Sequence, residues 1–510
     1  MSEASNTEDT VPADEVVTTS VGWSTLGRVG PGLVVIVLAL VSVYAIPGLE
    51  FARPWKPGEP VPFWNLLGRP FESDGAREAE ERHEEVEEFA REALAEAEHE
   101  PVARVEPKVI ELDEGDKLPP YVAQPGDDKP VQQELELFTG HELDAFFDQL
   151  ARSDAAVAGE ITHVVHWGDS AIGLDGIPGA IRRRMQARFG DSGHGFHLMA
   201  PPNTSYRHGE VKFSHNEAWE QCFIIQNCKK DGRYGLGGAT FWSYGGAQSE
   251  FEPHPERGSG KVSSFEVWYL AHPKGGKLGL RVDREQPVVI NTRSETVEDR
   301  WHRFELEDGP HELRVRANPG GQTRVYGVTL DRDVPGVVWD SLALVGAFTR
   351  RLSNYDEQHL REQLGHREAD LAVFMFGGND MGRERLTQDQ YEGEYRAILQ
   401  LVKRAKPDIA CLVMAPLDHG ERKGVRIVSK PIVPMLVEAQ RSAAEAEGCA
   451  FFNTYAAMGG EGSAGRWYKQ DPRLIGGDLG HATMKGHVVI GEMFYRALLH
   501  AYVAYREREG

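Results

Sequence analysis

Ile161-Thr162-His163-Val164-Val165-His166-Trp167-Gly168-Asp169-Ser170 is the stretch on which the fold of this 510-residue chain turns. Ile161 to Val165 read as a short buried strand, and Gly168-Asp169-Ser170 ends it with a tight turn. Residues 176–189 then place Ile177, Ile181, Met185 and Phe189 at helical spacing. Strand, turn and helix make one βα unit, and open α/β sheets carry their chemistry at the carboxyl ends of strands. A serine at that turn has its Oγ at a strand end. Its N–H lies at a helix N-terminus, where partial positive charge favours an oxyanion.

Upstream, Glu142 to Arg152 form an amphipathic helix through Leu143, Phe146, Phe147 and Leu150. Downstream, residues 205–332 alternate in runs such as Ser264–Leu270, Leu278–Val282 and Glu312–Arg316, divided by turn residues, which is the pattern of an antiparallel sandwich. After Val334 strands and helices alternate again: Ala372–Phe376, a helix near 388–405, Ala410–Met414, a helix near 431–447, Ala450–Phe452 and a last helix near 484–505. The expected architecture is an α/β domain with a parallel sheet, interrupted by an all-β insert. The expected divisions are a disordered cytoplasmic tail at 1–28, a transmembrane signal anchor at 29–49 and an acidic stalk at 50–135. The first α/β part (136–204), the β-sandwich insert (205–332) and the second α/β part (333–510) follow.

The anchor rests on Pro31 to Leu49, which carry no charge and are long enough for one span. No A-x-A site follows, so an uncleaved anchor is favoured over a removed signal peptide. Arg28 on one side and Arg53 and Lys56 on the other leave the positive-inside rule weak. The catalytic parts are expected outside, in the periplasm or beyond. A net charge of −23 argues against nucleic acid as a partner. Phe71–Glu100 alone carry 13 acidic against 3 basic side chains and read as a solvated helix or spacer. Of the four cysteines, Cys222 and Cys228 suit either a bridge in an oxidising compartment or buried free thiols, and free thiols are expected for Cys411 and Cys449. Their spacing does not fit a zinc site, and the histidines are not spaced as a metal site. No cofactor or metal is implied.

Acyl transfer at serine needs a nucleophile, a base, a group to orient the base, and oxyanion donors. Ser170 lacks the G-x-S-x-G elbow of an ordinary α/β-hydrolase. Gly-Asp-Ser occurs again at 190–192, where it reads as a helix-ending turn, so context selects Ser170. Phe376-Gly377-Gly378-Asn379-Asp380 lies at another strand end, where the Asn379 amide is a candidate oxyanion donor and an ordinary turn is the alternative. Gly346, after the apolar stretch 337–344, offers an N–H. Asp478-Leu479-Gly480-His481 supplies acid and base before the last helix. Asp-x-x-His recurs at Asp191/His194, Asp299/His302, Asp308/His311 and Asp356/His359, but only Asp478/His481 follows the last strand of the α/β part.

Ser170 in Gly-Asp-Ser, Gly346, Asn379 in Gly-Gly-Asn-Asp and Asp478-x-x-His481, in that order, resemble the four blocks of the SGNH (GDSL-type) hydrolase superfamily over about 155–200 and 335–505. The resemblance implies a flavodoxin-like three-layer sandwich. It makes Ser170 the nucleophile, His481 the base and Asp478 its orienting carboxylate, with an oxyanion hole from the Ser170 and Gly346 N–H groups and the Asn379 side chain. The chain is most similar to the peptidoglycan O-acetylesterase type, in which a carbohydrate-binding-module-like sandwich separates the first and second blocks. The stretches Phe189–Phe196 and Gly336–Leu342 are similar to that group too. It also resembles membrane-tethered proteins that acetylate polysaccharide or peptidoglycan alongside a membrane O-acyltransferase. Implied is a serine esterase acting on O-acyl groups, most simply O-acetyl, of an envelope polysaccharide; the alternative is an O-acetyltransferase to a glycan hydroxyl. A reading of another class is a membrane-anchored glycan-binding protein with Trp219, Trp242, Trp268 and Trp301 as stacking candidates. The full set of catalytic residue types speaks against it.

Overall fold

Six strands form the sheet that carries the motif: β1 (Leu135–Glu136), β2 (Ile161–Gly168), β3 (Gly336–Ala343), β4 (Leu371–Met375), β5 (Ala410–Met414) and β6 (Ala450–Phe452), in spatial order β1-β6-β5-β4-β2-β3. Neighbours among β2 to β6 are parallel, and β1 runs antiparallel along β6. This computed structural model describes Val35, Leu38, Ser42 and residues 74–98, 108–112 and 117–509. The expected tail and, apart from Val35, Leu38 and Ser42, the expected span 29–49 lie outside the described residues. Among the described residues no helix is long and apolar enough to cross a membrane.

Helices cover both faces of the sheet, which is why β4, β5 and β6 read as unbroken apolar runs. The longer helices among the described residues are α1 (Asp74–Glu98), α2 (Asp144–Asp154), α3 (Gly176–Phe189), α4 (Glu357–His366), α5 (Gln388–Ala405), α6 (Val433–Ala446) and α7 (Met484–Glu509). Trp167, Phe374, Val413 and Phe451 pack toward α4, α5 and α6, while Val164, Val373, Leu412 and Phe452 pack toward α1, α2, α3 and α7.

The insert holds two antiparallel sheets. One contains Val211–His215, Gln248–Pro253, Lys277–Val282, Val288–Asn291 and Leu313–Asn318; the other contains Glu220–Phe223, Ala239–Ser243, Val262–Ala271, Glu298–Gly309 and Thr323–Asp331. Gly193–Leu198, expected in the first α/β part, pairs instead with Thr323–Asp331, so the insert begins before residue 205. Long-range pairing of this kind leaves no local signal. Of the four tryptophans, Trp219 and Trp268 are buried, Trp301 stacks on His366 of α4 at 3.9 Å, and Trp242 lies under the Lys229 ammonium.

Two further expectations are corrected. The segment 50–135 is not a free spacer throughout. From Arg82 onward α1 belongs to the same unit as the sheet, and Val86, Phe89, Ala90 and Ala93, at i, i+3, i+4 and i+7, are buried in it. Arg496 reaches Glu92 at 2.9 Å, Arg184 reaches Glu96 at 3.1 Å, and Asp127 further along pairs with Arg188 at 3.1 Å. Cys411 and Cys449 are not free thiols but form a disulfide, as do Cys222 and Cys228. The reason is register: Leu412 pairs with Ala450 in adjacent parallel strands, which sets the two preceding residues side by side.

Candidate active site

Ser170 follows β2 at the first position of a 3₁₀ turn, Ser170–Asp175, that leads into α3. Its Oγ lies 2.8 Å from His481 Nε2, and His481 Nδ1 lies 2.6 Å from Asp478 Oδ2. Asp478 Oδ1 also accepts from the N–H groups of Gly480 and His481, both at 3.2 Å. Burial pushes the Asp478 carboxyl up, but the His481 ring and these N–H groups outweigh it and hold the carboxyl below its usual range. An ionised Asp478 fixes the tautomer with the proton on Nδ1, leaving Nε2 free to accept from Ser170. His481 and Asp478 are half-exposed, so the chain of hydrogen bonds opens to solvent.

Asp169, quoted in the motif but given no role by sequence reasoning, binds two strand ends together. It is buried, and its carboxylate accepts from Ala171 N–H and from Gly378 N–H, each at 2.9 Å. Burial raises its pKa, partly offset by those N–H groups. Gly168 is required where it stands: a Cβ there would lie 2.7 Å from the Met375 carbonyl oxygen of the neighbouring strand. Gly346 and Asn379 stand at the ends of β3 and β4, the two strands that flank β2. Gly346 adopts φ +84°, a left-handed turn that favours glycine. Asn379 Nδ2 is buried without a hydrogen-bond partner, the condition of a donor held for a ligand. Buried Asp380 accepts from Thr349 N–H and Oγ at 2.9 and 2.8 Å, tying the Gly346 loop to the Asn379 loop.

Thus the structure joins Ser170, His481 and Asp478 directly and sets Gly346 and Asn379 on either side. The second Gly-Asp-Ser does not join them, since buried Ser192 donates to the Val334 carbonyl at 2.7 Å. Asp299 is engaged with His359 rather than His302, and Asp356 caps the N–H of His359. Sequence reasoning also missed His419. It follows β5 at the end of a third strand, and its ring lies against Gly378 and Gly480, whose loops carry Asn379 and His481. Burial lowers its pKa to about 4, so it is neutral. Its place after a strand end was the available signal.

Residues 311–489 match the model of the GDSL-like lipase/acylhydrolase family. The chain carries an SGNH-type, GDSL-like hydrolase domain. Its enzyme class is that of the SGNH serine esterases. The matched residues take in Gly346, Asn379, Asp478 and His481 but not Ser170, because the insert separates the first block from the rest. A solved structure of a peptidoglycan O-acetylesterase superposes with a TM-score of 0.60 at 18% identity, covering 71% of this chain and 96% of that one, which shows a shared fold. An acetylxylan esterase from Geobacillus stearothermophilus (20% identity, 32% of this chain and 73% of that one, TM-score 0.25) overlaps far less. So does a family two carbohydrate esterase from Cellvibrio japonicus (10%, 57% and 98%, TM-score 0.23), and neither overlap carries an argument. No curated protein matches the chain.

Proposed function

We propose that this SGNH protein is a serine-dependent carbohydrate esterase that removes O-acyl groups, most simply O-acetyl, from an envelope or extracellular polysaccharide. The observation that carries the reading is the Ser170–His481–Asp478 chain of hydrogen bonds at 2.8 and 2.6 Å. His481 Nε2 takes the Ser170 proton as Oγ attacks the ester carbonyl carbon. Asp478 stabilises the imidazolium that forms. The Ser170 and Gly346 N–H groups and Asn379 Nδ2 receive the oxyanion, each donor contributing roughly 3–4 kcal/mol in comparable sites. Collapse breaks the carbonyl–oxygen bond to the sugar, and His481 returns the proton to the leaving hydroxyl. Water then attacks the acyl-serine with His481 as base, releasing acetate and free Ser170.

An oxidising compartment outside the cytoplasm suits two disulfides. A membrane anchor at 29–49 belongs to the same reading, and a partner membrane O-acyltransferase to the alternative in which the acyl group passes to a glycan hydroxyl. The test is hydrolysis of 4-nitrophenyl acetate by the purified chain and by Ser170→Ala. The variant is expected to lose at least about 10³-fold in kcat with its melting temperature unchanged. Wild-type turnover by the Ser170→Ala protein would overturn the assignment. Mass spectrometry with an oligosaccharide acceptor present distinguishes release of acetate from transfer.

A further inference from the structure

A cavity of about 660 Å³ lies beside the turn that Ser170 opens and the start of α7. Leu174 on its rim lies in the turn that Ser170 opens, and Met484, also on the rim, starts α7 shortly after His481. Four residues of chain span at most about 14 Å and three at most about 11 Å, so the rim stands within that reach of the Ser170 and His481 backbones. Both rim side chains are exposed, Leu174 at 39% and Met484 at 58%. Leu174 is held at φ +60°, with its N–H donating to the Ser205 carbonyl at 3.0 Å.

The charge of the wall is specific. The buried carboxylates of its floor, Asp175 and Glu210, share one buried guanidinium, that of Arg182, at 2.5 and 3.2 Å. Arg183, Arg207 and Arg257 stand on the wall with one further carboxylate, Glu256, so that with Arg182 four guanidiniums face three carboxylates. None of the three wall guanidiniums forms an ion pair among the described residues, and Arg257 is set in place by donating to the Gly209 carbonyl at 3.3 Å. In a chain of net charge −23, a concave surface on which guanidiniums outnumber carboxylates is not a product of composition. Guanidinium is the side chain that matches a carboxylate in two-point geometry, and concave walls of one sign concentrate a ligand of the other.

We propose that this cavity binds a carboxylate-bearing stretch of the acylated glycan, so that the enzyme selects acidic over neutral polysaccharides. The proposal rests on the Ser170 esterase reading for its substrate but not for its binding test. Two sources supply the chemistry: uronic acid residues, or the lactyl and peptide carboxylates of a muramoyl glycan. Leu174 and Met484 would pack on sugar faces between the carboxylate and the ester.

The experiment is calorimetric titration of the full chain carrying Ser170→Ala with tetragalacturonate, muramyl dipeptide and neutral xylotetraose. One acidic probe is expected to bind at least tenfold tighter than xylotetraose, with the margin shrinking in 0.5 M salt. Which one it is names the source. Arg183→Gln, Arg207→Gln and Arg257→Gln, together or singly if the triple variant does not fold, are expected to remove the margin. Equal affinity for all three probes, or a margin that survives every arginine variant, overturns the proposal. Wild-type turnover of 4-nitrophenyl acetate reports separately on Ser170, so the failure of one reading leaves the other standing.

Discussion

Asn379 illustrates how a single residue separates catalysis from stability. Its Nδ2 is buried without a partner, so truncating it breaks no internal hydrogen bond. Asn379→Ala is therefore expected to lower kcat on 4-nitrophenyl acetate by about 10²–10³ while melting no lower than wild type. A parallel loss of stability would mean that Asn379 holds the loop and does not serve the oxyanion. Asp370 shows the opposite separation, with stability at stake and no part in the chemistry. Its carboxylate accepts from His163 N–H at 2.7 Å, and burial raises its pKa to about 7. Between about pH 4 and 7 the folded chain keeps a proton that the unfolded chain has lost, so stability contributed by this group falls as pH rises through that window. Asp370→Asn keeps an acceptor without a charge. It is expected to melt higher than wild type at pH 8, with the difference fading toward pH 4; thermal melts at both pH values check it.

At the scale of elements, the cysteine pairs give the sharpest expectation. Cys411–Cys449 closes a loop of 38 residues between β5 and β6, whereas Cys222–Cys228 closes only 6. Loop-closure entropy assigns about 4 kcal/mol to the first and about 2 to the second. Cys411→Ser with Cys449→Ser is expected to lower the denaturation midpoint more than Cys222→Ser with Cys228→Ser, in urea titrations without reductant. What the sequence revealed and what it hid divide along the same line. The elements β2 to β6 and α2, α3 and α5 to α7 were legible because each announces itself within its own residues, by an apolar run or a helical period. Ser170, Gly346 and Asn379 were singled out because each stands just after a strand, and Asp478 and His481 by their order in the chain before the last helix and by the family resemblance. The Cys411–Cys449 pairing and the placement of Gly193–Leu198 depend on partners 38 or more residues away, so no local pattern records them. In α1 the buried stripe was present in the sequence, but the surrounding glutamates masked it.

For the whole molecule, the consequence is that insert and hydrolase do not behave as separable modules. One apolar core runs from the sandwich into one face of the parallel sheet. Trp167, beside the motif, donates its indole N–H to the Leu236 carbonyl of the insert at 3.0 Å, and Leu236 N–H donates to Gln363 of α4 at 3.0 Å. Arg367 joins the two parts by charge, reaching Asp331 of the insert at 2.6 Å and Asp340 of β3 at 2.8 Å, with all three side chains buried. Cutting the insert away would strip these groups of partners, so the insert positions the strand that ends in Ser170 as well as adding surface. Calorimetry of the purified chain is therefore expected to show residues 82–510 melting in one transition, with calorimetric and van't Hoff enthalpies equal. Arg367→Ala leaves two buried carboxylates uncompensated and is expected to cost about 3–5 kcal/mol. Because the loss falls on both parts at once, the transition should shift down as a whole without splitting. Two resolved transitions, in either protein, would show the sandwich to be an independent domain and would remove it from the account of how Ser170 is held.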